Sequence, residues 1–221
     1  MTLDGSARTL GTVTTTLSSW GCEQGTWTNH DCVTTPGAKF PVKIVMNIYE
    51  PASSTTPESP VGVGDLITRV TKTFMVLYRP TANLTHCNSG NGNLGKWWNG
   101  TGCFNGRAVN ISFNLSSVGI TLPDTVVVGI SYNTTHYGPH PIGESAACFT
   151  SSGGCGYDSL NIGFGPAVTV GTKPYPDTLF QNAASAGQYC DGTPTLGTFN
   201  LDSPTSPCWA GYVPAFRITA S

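Results

Sequence analysis

Alternation between apolar and polar residues is the feature that most limits what this chain of 221 residues can fold into. A period of two places the apolar side chains on one face of a β-strand, and it recurs in several segments. The apolar positions are Val13 and Leu17; Val42, Ile44, Met46 and Ile48; Val70, Phe74, Val76 and Tyr78, interrupted by Lys72; Val109, Ile111, Phe113 and Leu115; Val126, Val128, Ile130 and Tyr132; and Phe216 and Ile218. The pattern predicts strands that each bury one face.

Helical periodicity is weak by comparison. Gly or Pro interrupts most windows, and only Asp177–Gly187 could hold a short helix. The segment Pro51–Gly64 has the composition of a loop and joins two predicted strands. Strands separated by Gly-, Pro- and Asn-rich loops are typical of an all-β, antiparallel sandwich. We expect a jelly-roll-like arrangement with long, disulfide-tied loops in a single domain over residues 1–221.

Eight cysteines fall into four close pairs along the chain. Many connectivities are open to eight cysteines, but none of the spacings is that of a zinc site. Local pairing predicts the disulfides Cys22–Cys32, Cys87–Cys103, Cys148–Cys155 and Cys190–Cys208. Disulfides persist in oxidising compartments, so we expect an extracellular protein, either secreted or attached to a cell surface. Residues 1–21 lack the pattern of a signal peptide, and we therefore expect a mature domain cut from a longer precursor.

The chain carries unusually little charge. Only 10% of its residues are charged and the formal net charge is −2, whereas globular proteins average about 25% charged residues. There is no basic excess to neutralise a phosphate backbone, which argues against nucleic acid as a partner. No apolar run approaches the roughly 20 residues that span a membrane. Thr, Ser and Asn supply the polarity instead, and such a surface suits sugars or other copies of the chain.

The densest group of metal-ligating side chains lies between residues 131 and 165. His136, His140 and Glu144 follow a spacing that would align them on a helix, but the intervening glycines and prolines exclude a helix there. Tertiary folding could still assemble a site of two histidines and one carboxylate. The alternative is a polar loop tied by a disulfide. Calcium is a second candidate cofactor, with loop carboxylates as ligands at Asp158, Asp177 and Asp191.

Catalytic patterns are incomplete. Ser145 stands in a Gly-Glu-Ser-Ala-Ala segment that lacks the second glycine of a nucleophile elbow, and no spacing favours a triad with His136 and Asp158. Carboxylate pairs for glycoside hydrolysis could be drawn from Glu144, Asp158, Asp177, Asp191 or Asp202. The chain has only 12 acidic residues, so these pairs list the available carboxylates and do not identify a catalytic site. The sequence therefore favours binding over catalysis.

Aromatic residues beside the cysteines are the best indication of a binding site. Sugars stack on aromatic faces while nearby polar groups bind their hydroxyls. Trp20 and Trp27 flank the predicted Cys22–Cys32 loop, and adjacent Trp97 and Trp98 should point to opposite sides of a strand. The alternative interpretation is a small aromatic core packed on each disulfide. The candidate ligand-binding residues are Trp27, Trp97, Trp98, Tyr137 and Asp158.

Several short motifs run through most of the chain: SSWGCEQGTW, TFMVLYRP, TLPDTVVVGISYNTTHYG, GGCGYDSLNIG and GYVPAF. Together they resemble a β-sandwich domain of secreted, multi-domain actinobacterial surface proteins. The resemblance implies a location and an architecture. It implies no activity and no catalytic residue.

We therefore hypothesise a non-catalytic extracellular module that acts in adhesion or carbohydrate binding, with a carbohydrate or cell-surface polymer as its partner. Two alternatives remain open at this point. One is a structural surface or fibre subunit that assembles with other copies through strand edges. The other is a secreted hydrolase or metal-dependent enzyme that uses residues 131–165.

Overall fold

A computed structural model describes residues 1–52, 63–132, 160–165, 170–172, 178–180, 199–201 and 213–221. These residues form eleven strands, joined by a 3₁₀ turn at Ser89–Asn91 and irregular loops. In chain order the strands are β1 (Leu10–Ser19), β2 (Lys39–Pro51), β3 (Val63–Leu77), β4 (Trp97–Trp98), β5 (Cys103–Phe104), β6 (Arg107–Asn114), β7 (Val127–Ser131), β8 (Leu160–Ile162), β9 (Leu179–Phe180), β10 (Asn200–Leu201) and β11 (Phe216–Ala220).

Two antiparallel sheets carry most of the fold. In the first sheet, β1 pairs with β6 along one side and with β11 and β8 along the other. In the second sheet, β2 lies between β3 and β7. β2 and β3 pair along their length as far as Pro51 and Val63, so the prediction that this segment lies between two strands is confirmed. The predicted loop bounds are wrong at both ends, because Pro51, Val63 and Gly64 belong to the strands. β4 with β5 and β9 with β10 form two further two-stranded pairs.

The apolar faces of both sheets meet in one core. The ring of Phe74 on β3 meets that of Phe113 on β6 edge to face at 5.0 Å, which joins the second sheet to the first. Most of the buried positions are ones that the alternation predicted, whereas Leu10, Phe40, Leu122 and Leu160 were not predicted. The all-β antiparallel prediction is confirmed. The buried core consists of Leu10, Val13, Leu17, Phe40, Val42, Ile44, Met46, Ile48, Val76, Tyr78, Ile111, Phe113, Leu115, Leu122, Val126 and Leu160.

A short helix was possible over Asp177–Gly187, but Leu179 and Phe180 are strand residues there. Asp177 and residues 181–187 lie outside the described residues. Leu179 and Phe180 form β9 and pair with β10. An isolated helix of this length is marginal in water, whereas a paired strand obtains its hydrogen bonds from a neighbour. Elsewhere in the described ranges, no helix is long and apolar enough to cross a membrane.

Candidate functional site

The outer side of the first sheet carries short polar side chains. The alternation that sends Val13, Thr15 and Leu17 into the core sends their neighbours outward. We call this surface the polar face, and it consists of Thr12, Thr14, Thr16 and Ser18 on β1 with Asn110, Ser112 and Asn114 on β6.

Hydrogen bonds between the two strands order the polar face. Thr14 Oγ1 lies 2.9 Å from Ser112 Oγ, and Thr16 Oγ1 donates to Asn110 Oδ1 at 2.9 Å. Cross-strand pairs of this kind fix side chains at the spacing of the sheet. The face therefore presents hydroxyl and amide groups in regular rows.

Trp20 continues the outward positions of β1 at one end of the polar face. Its Nε1 donates to Ser18 Oγ at 2.9 Å. Its ring lies over Gly106, where a Cβ atom would come within 2.4 Å of Trp20 Nε1 and 2.0 Å of Ser18 Oγ. The carbonyl oxygen of Gly106 in turn accepts a hydrogen bond from Trp97 Nε1 at 3.1 Å. Both indoles therefore contact Gly106, and a residue with a side chain there would collide with Trp20.

Two further aromatic rings extend this group. Trp27 meets Trp20 edge to face at 4.8 Å, and Phe104 lies 5.7 Å from Trp97 as its cross-strand partner. We call Trp20, Trp27, Trp97 and Phe104 the aromatic cluster. The three tryptophans are partly buried, and Phe104 remains 45% exposed. The cluster thus combines packing within the protein with an accessible ring.

Trp98 lies apart from the aromatic cluster. Its separation from Trp97 was expected, because neighbouring side chains on a strand point to opposite sides. It pairs with Cys103 and stacks on the imidazole of His86, with ring centroids 4.8 Å apart and planes 12° from parallel. The hairpin loop beside it is closed by Asn99, whose Oδ1 accepts from the backbone N–H groups of Thr101 and Gly102. Trp97 and Trp98 therefore pack in two different environments.

Two disulfides hold the loops that carry these rings. Cys22–Cys32 closes the loop that contains Trp27, and Cys87–Cys103 ties β5 to the segment that carries His86. Both pairings are among the four predicted from the sequence, and the structure confirms them. Because they link residues close in sequence, they fix the local shape of the loops. The other four cysteines, Cys148, Cys155, Cys190 and Cys208, lie outside the described residues.

Arg79 is buried between these loops, with none of its surface exposed. Its backbone N–H donates to Gly21, and its Nη2 donates to the carbonyl oxygen of Gly95. Its Nε and Nη1 have no hydrogen-bond partner among the described residues. Burial lowers the pKa of Arg79 to about 10. The side chain therefore remains a cation at neutral pH and is costly to bury.

The structure brings together only some of the residues that the sequence singled out. Trp27 and Trp97 belong to the aromatic cluster, and Trp98 does not. Tyr137 and Asp158, the metal candidates His136, His140 and Glu144, and the calcium candidates Asp177 and Asp191 lie outside the described residues. No group of three or more metal-ligating side chains lies within the described ranges.

Sequence reasoning named Trp20 beside the first disulfide but did not select it as a ligand-binding candidate, and it missed Phe104 and Gly106. The sequence does indicate that Trp20 faces outward, since it lies two positions after Ser18 in the alternation of outward residues on β1. Phe104 could have been found as the residue facing Trp97 across a hairpin. Nothing in the sequence indicates that Gly106 contacts two indoles, because those contacts depend on how separate segments pack.

No family model matches the chain, and comparisons with curated proteins and with solved structures returned no match.

Proposed function

We propose that the protein is a non-catalytic, extracellular module that binds carbohydrate with the outer side of its first sheet. One observation carries the proposal: the aromatic cluster continues directly from the polar face through Ser18, Trp20 and Gly106. A sugar has an apolar C–H face and a rim of hydroxyls. It needs an aromatic ring next to hydroxyl and amide partners.

The chemistry of the polar face supports this ligand class. Hydroxyl groups both donate and accept hydrogen bonds, and side-chain amides do the same through separate atoms. The rows of Thr, Ser and Asn can therefore pair with sugar hydroxyls of either role. Their own cross-strand hydrogen bonds hold them in place before a ligand arrives, which lowers the entropy lost on binding.

The disulfides support an extracellular setting, because such bonds persist in oxidising compartments. In that setting the partner would be a polysaccharide or a cell-surface polymer, and the protein would act in adhesion. An open sheet face, unlike a closed pocket, suits an extended polymer.

Binding to a panel of soluble and insoluble polysaccharides tests the proposal. Phe104→Ala removes the exposed ring, and we expect it to weaken binding about tenfold, the equivalent of roughly 1.4 kcal/mol. Gly106→Ala should also weaken binding, because the added Cβ displaces Trp20 from Ser18. Titration calorimetry measures the soluble ligands and pull-down measures the insoluble ones.

Trp98→Ala is the matched control, since it removes an aromatic ring from the same hairpin on the side away from the cluster. We expect it to leave affinity unchanged. Near-ultraviolet circular dichroism verifies that each variant is folded. Wild-type protein that binds no polysaccharide, or equal losses in Phe104→Ala and Trp98→Ala, would overturn the proposal.

A further inference from the structure

Arg217 stands out on the outer side of the first sheet. It lies on β11 directly opposite Thr14, which in turn pairs with Ser112, so the three side chains form one row across the sheet. Its neighbours Phe216 and Ile218 pack against the core, and Arg217 is exposed on the opposite side. Arg217 therefore lies beside the polar face, in the row that contains Thr14 and Ser112.

The guanidinium of Arg217 is unpaired within the described part of the chain. Two other arginines, the half-buried Arg8 and the exposed Arg69, have side-chain partners. Arg8 forms an ion pair with Asp124 at 2.7 Å, and Arg69 donates to Asn47 Oδ1 at 2.8 Å. Arg217 therefore keeps its full set of donors for a partner from outside.

Charge on this side of the sheet has one sign. None of the described outward residues on β1, β6 and β11 is acidic, and Arg217 is the one cation among them. These residues are Thr12, Thr14, Thr16, Ser18, Ala108, Asn110, Ser112, Asn114, Arg217 and Thr219. The surface is complementary to a mostly neutral ligand that carries an anionic group.

Building on the proposed function, we infer that the carbohydrate is a polymer containing uronic acid, and that Arg217 binds a carboxylate of one sugar unit. A guanidinium presents two parallel N–H donors that match the two oxygens of a carboxylate. Thr14 and Ser112, in the same row, supply hydroxyl partners for the ring of that sugar.

The length of the surface requires a polymer. Trp20 lies six positions after Thr14 and just beyond the end of β1, a separation of about 20 Å in an extended chain. A single sugar cannot reach both Arg217 and the aromatic cluster. The ligand therefore lies along β1, with a carboxylate near Arg217 and the face of another unit on the aromatic cluster.

A pair of polymers that differ only in charge tests the inference. The probes are a soluble homopolymer of uronic acid and the same polymer after reduction of its carboxyl groups to alcohols. We expect wild-type protein to bind the acidic polymer at least tenfold more tightly. Arg217→Gln should abolish this difference, while Arg217→Lys, which keeps the charge without the planar donor pair, should retain only part of it.

Two controls separate recognition from general attraction between charges. Arg69→Gln removes an exposed cation from the second sheet, and we expect no change in affinity. Polyglutamate offers carboxylates without sugar rings, and we expect the wild-type protein to bind it at least tenfold more weakly than the uronic acid polymer. Equal binding of polyglutamate would overturn the inference.

The failure of this inference is distinguishable from that of the proposed function. If both forms of the polymer bind equally and Arg217→Gln changes neither affinity, the carboxylate contact is overturned. The proposed function then still stands, provided that Phe104→Ala weakens binding. If no polysaccharide of any charge binds, both proposals fail.

Discussion

The β-sandwich and the disulfide-tied loops are held together by different means. The sandwich rests on alternating apolar residues, whose side chains from two sheets fill one core. The loops, residues 20–38 and 78–106, bring few apolar side chains to that core. They rely on two disulfides and on asparagine side chains that cap backbone groups, and they enclose the cation of Arg79, whose burial costs free energy. The sandwich is thus specified by a repeating pattern, and the loops by individual contacts.

A core substitution should have the largest effect on stability. Phe113 is 2% exposed and its ring contacts Phe74 across the two sheets. We expect Phe113→Ala to lower the free energy of unfolding by about 3–5 kcal/mol, because it leaves a cavity that both sheets line. Chemical denaturation followed by fluorescence measures the change.

The neighbouring outward residue provides the control for that measurement. Ser112→Ala should change the free energy of unfolding by no more than about 0.5 kcal/mol. A loss below about 1 kcal/mol for Phe113→Ala would show that the two sheets do not share a tightly packed core.

Loss of a disulfide should have the next largest effect, and should act on the loops. The bond Cys87–Cys103 joins residues 16 apart in sequence. We expect the double substitution Cys87→Ala with Cys103→Ala to lower stability by roughly 2–4 kcal/mol. Because Cys103 adjoins Phe104, the near-ultraviolet circular dichroism of the aromatic cluster should change as well.

Hydrogen exchange shows where that effect lies. Under native conditions, amides of residues 83–104 should exchange faster in the double variant, while those of the paired core strands should lose protection only by the global change in stability. Equal local acceleration in β2 would contradict the separation between sandwich and loops.

Replacing Arg79 should change how the stability of the protein depends on pH. The folded state holds the pKa of Arg79 at about 10, below its value in the unfolded chain. The unfolded state therefore binds more protons above this pH, and stability contributed by this group rises as pH increases through 10. Arg79→Met should lack this rise.

At neutral pH the same variant should be about 1 kcal/mol more stable than the wild-type protein. It removes a desolvation cost of about 3 kcal/mol and loses one charge-assisted hydrogen bond of about 1.5–3 kcal/mol. Denaturation of both proteins between pH 7 and 11 measures the difference, in which the shared titrating groups cancel. A difference that stays constant across this range would contradict the account.

The same contrast explains which features could be predicted from the sequence. Alternation identified most of the buried apolar residues of β1, β2 and β6, because side-chain direction in a strand depends only on sequence parity. The alternation does not determine which strands pair with each other, so it could not show that β1 pairs with β11 and β8 along one side. Nor could it show that Arg79 is buried, since an arginine in a loop is ordinarily exposed.

The site was predicted in part for the same reason. The opposed directions of Trp97 and Trp98 follow from strand geometry and are confirmed. The contact of Trp20 with Gly106 depends on two segments that are 86 positions apart in the numbering of the chain, and no local pattern encodes it.

Lys72 should have the smallest effect on stability and a clear effect on association. It interrupts the alternation of β3 at a position paired with buried Ile44, and its Nζ lies 5.0 Å from the ring centroid of Phe74. Among the described strands, β3 pairs only with β2, so no described strand pairs with its other edge. A lysine facing inward on an edge strand prevents a second sheet from docking there.

We therefore expect Lys72→Val to change the free energy of unfolding by no more than about 0.5 kcal/mol but to promote dimers or larger assemblies. Analytical ultracentrifugation at increasing protein concentration measures this. Lys43→Val, which places the same apolar group on the central strand, should remain monomeric. A monomeric Lys72→Val protein would show that this lysine does not protect the edge. Wild-type protein that itself assembles through β3 would favour the fibre-subunit alternative over a separate binding module.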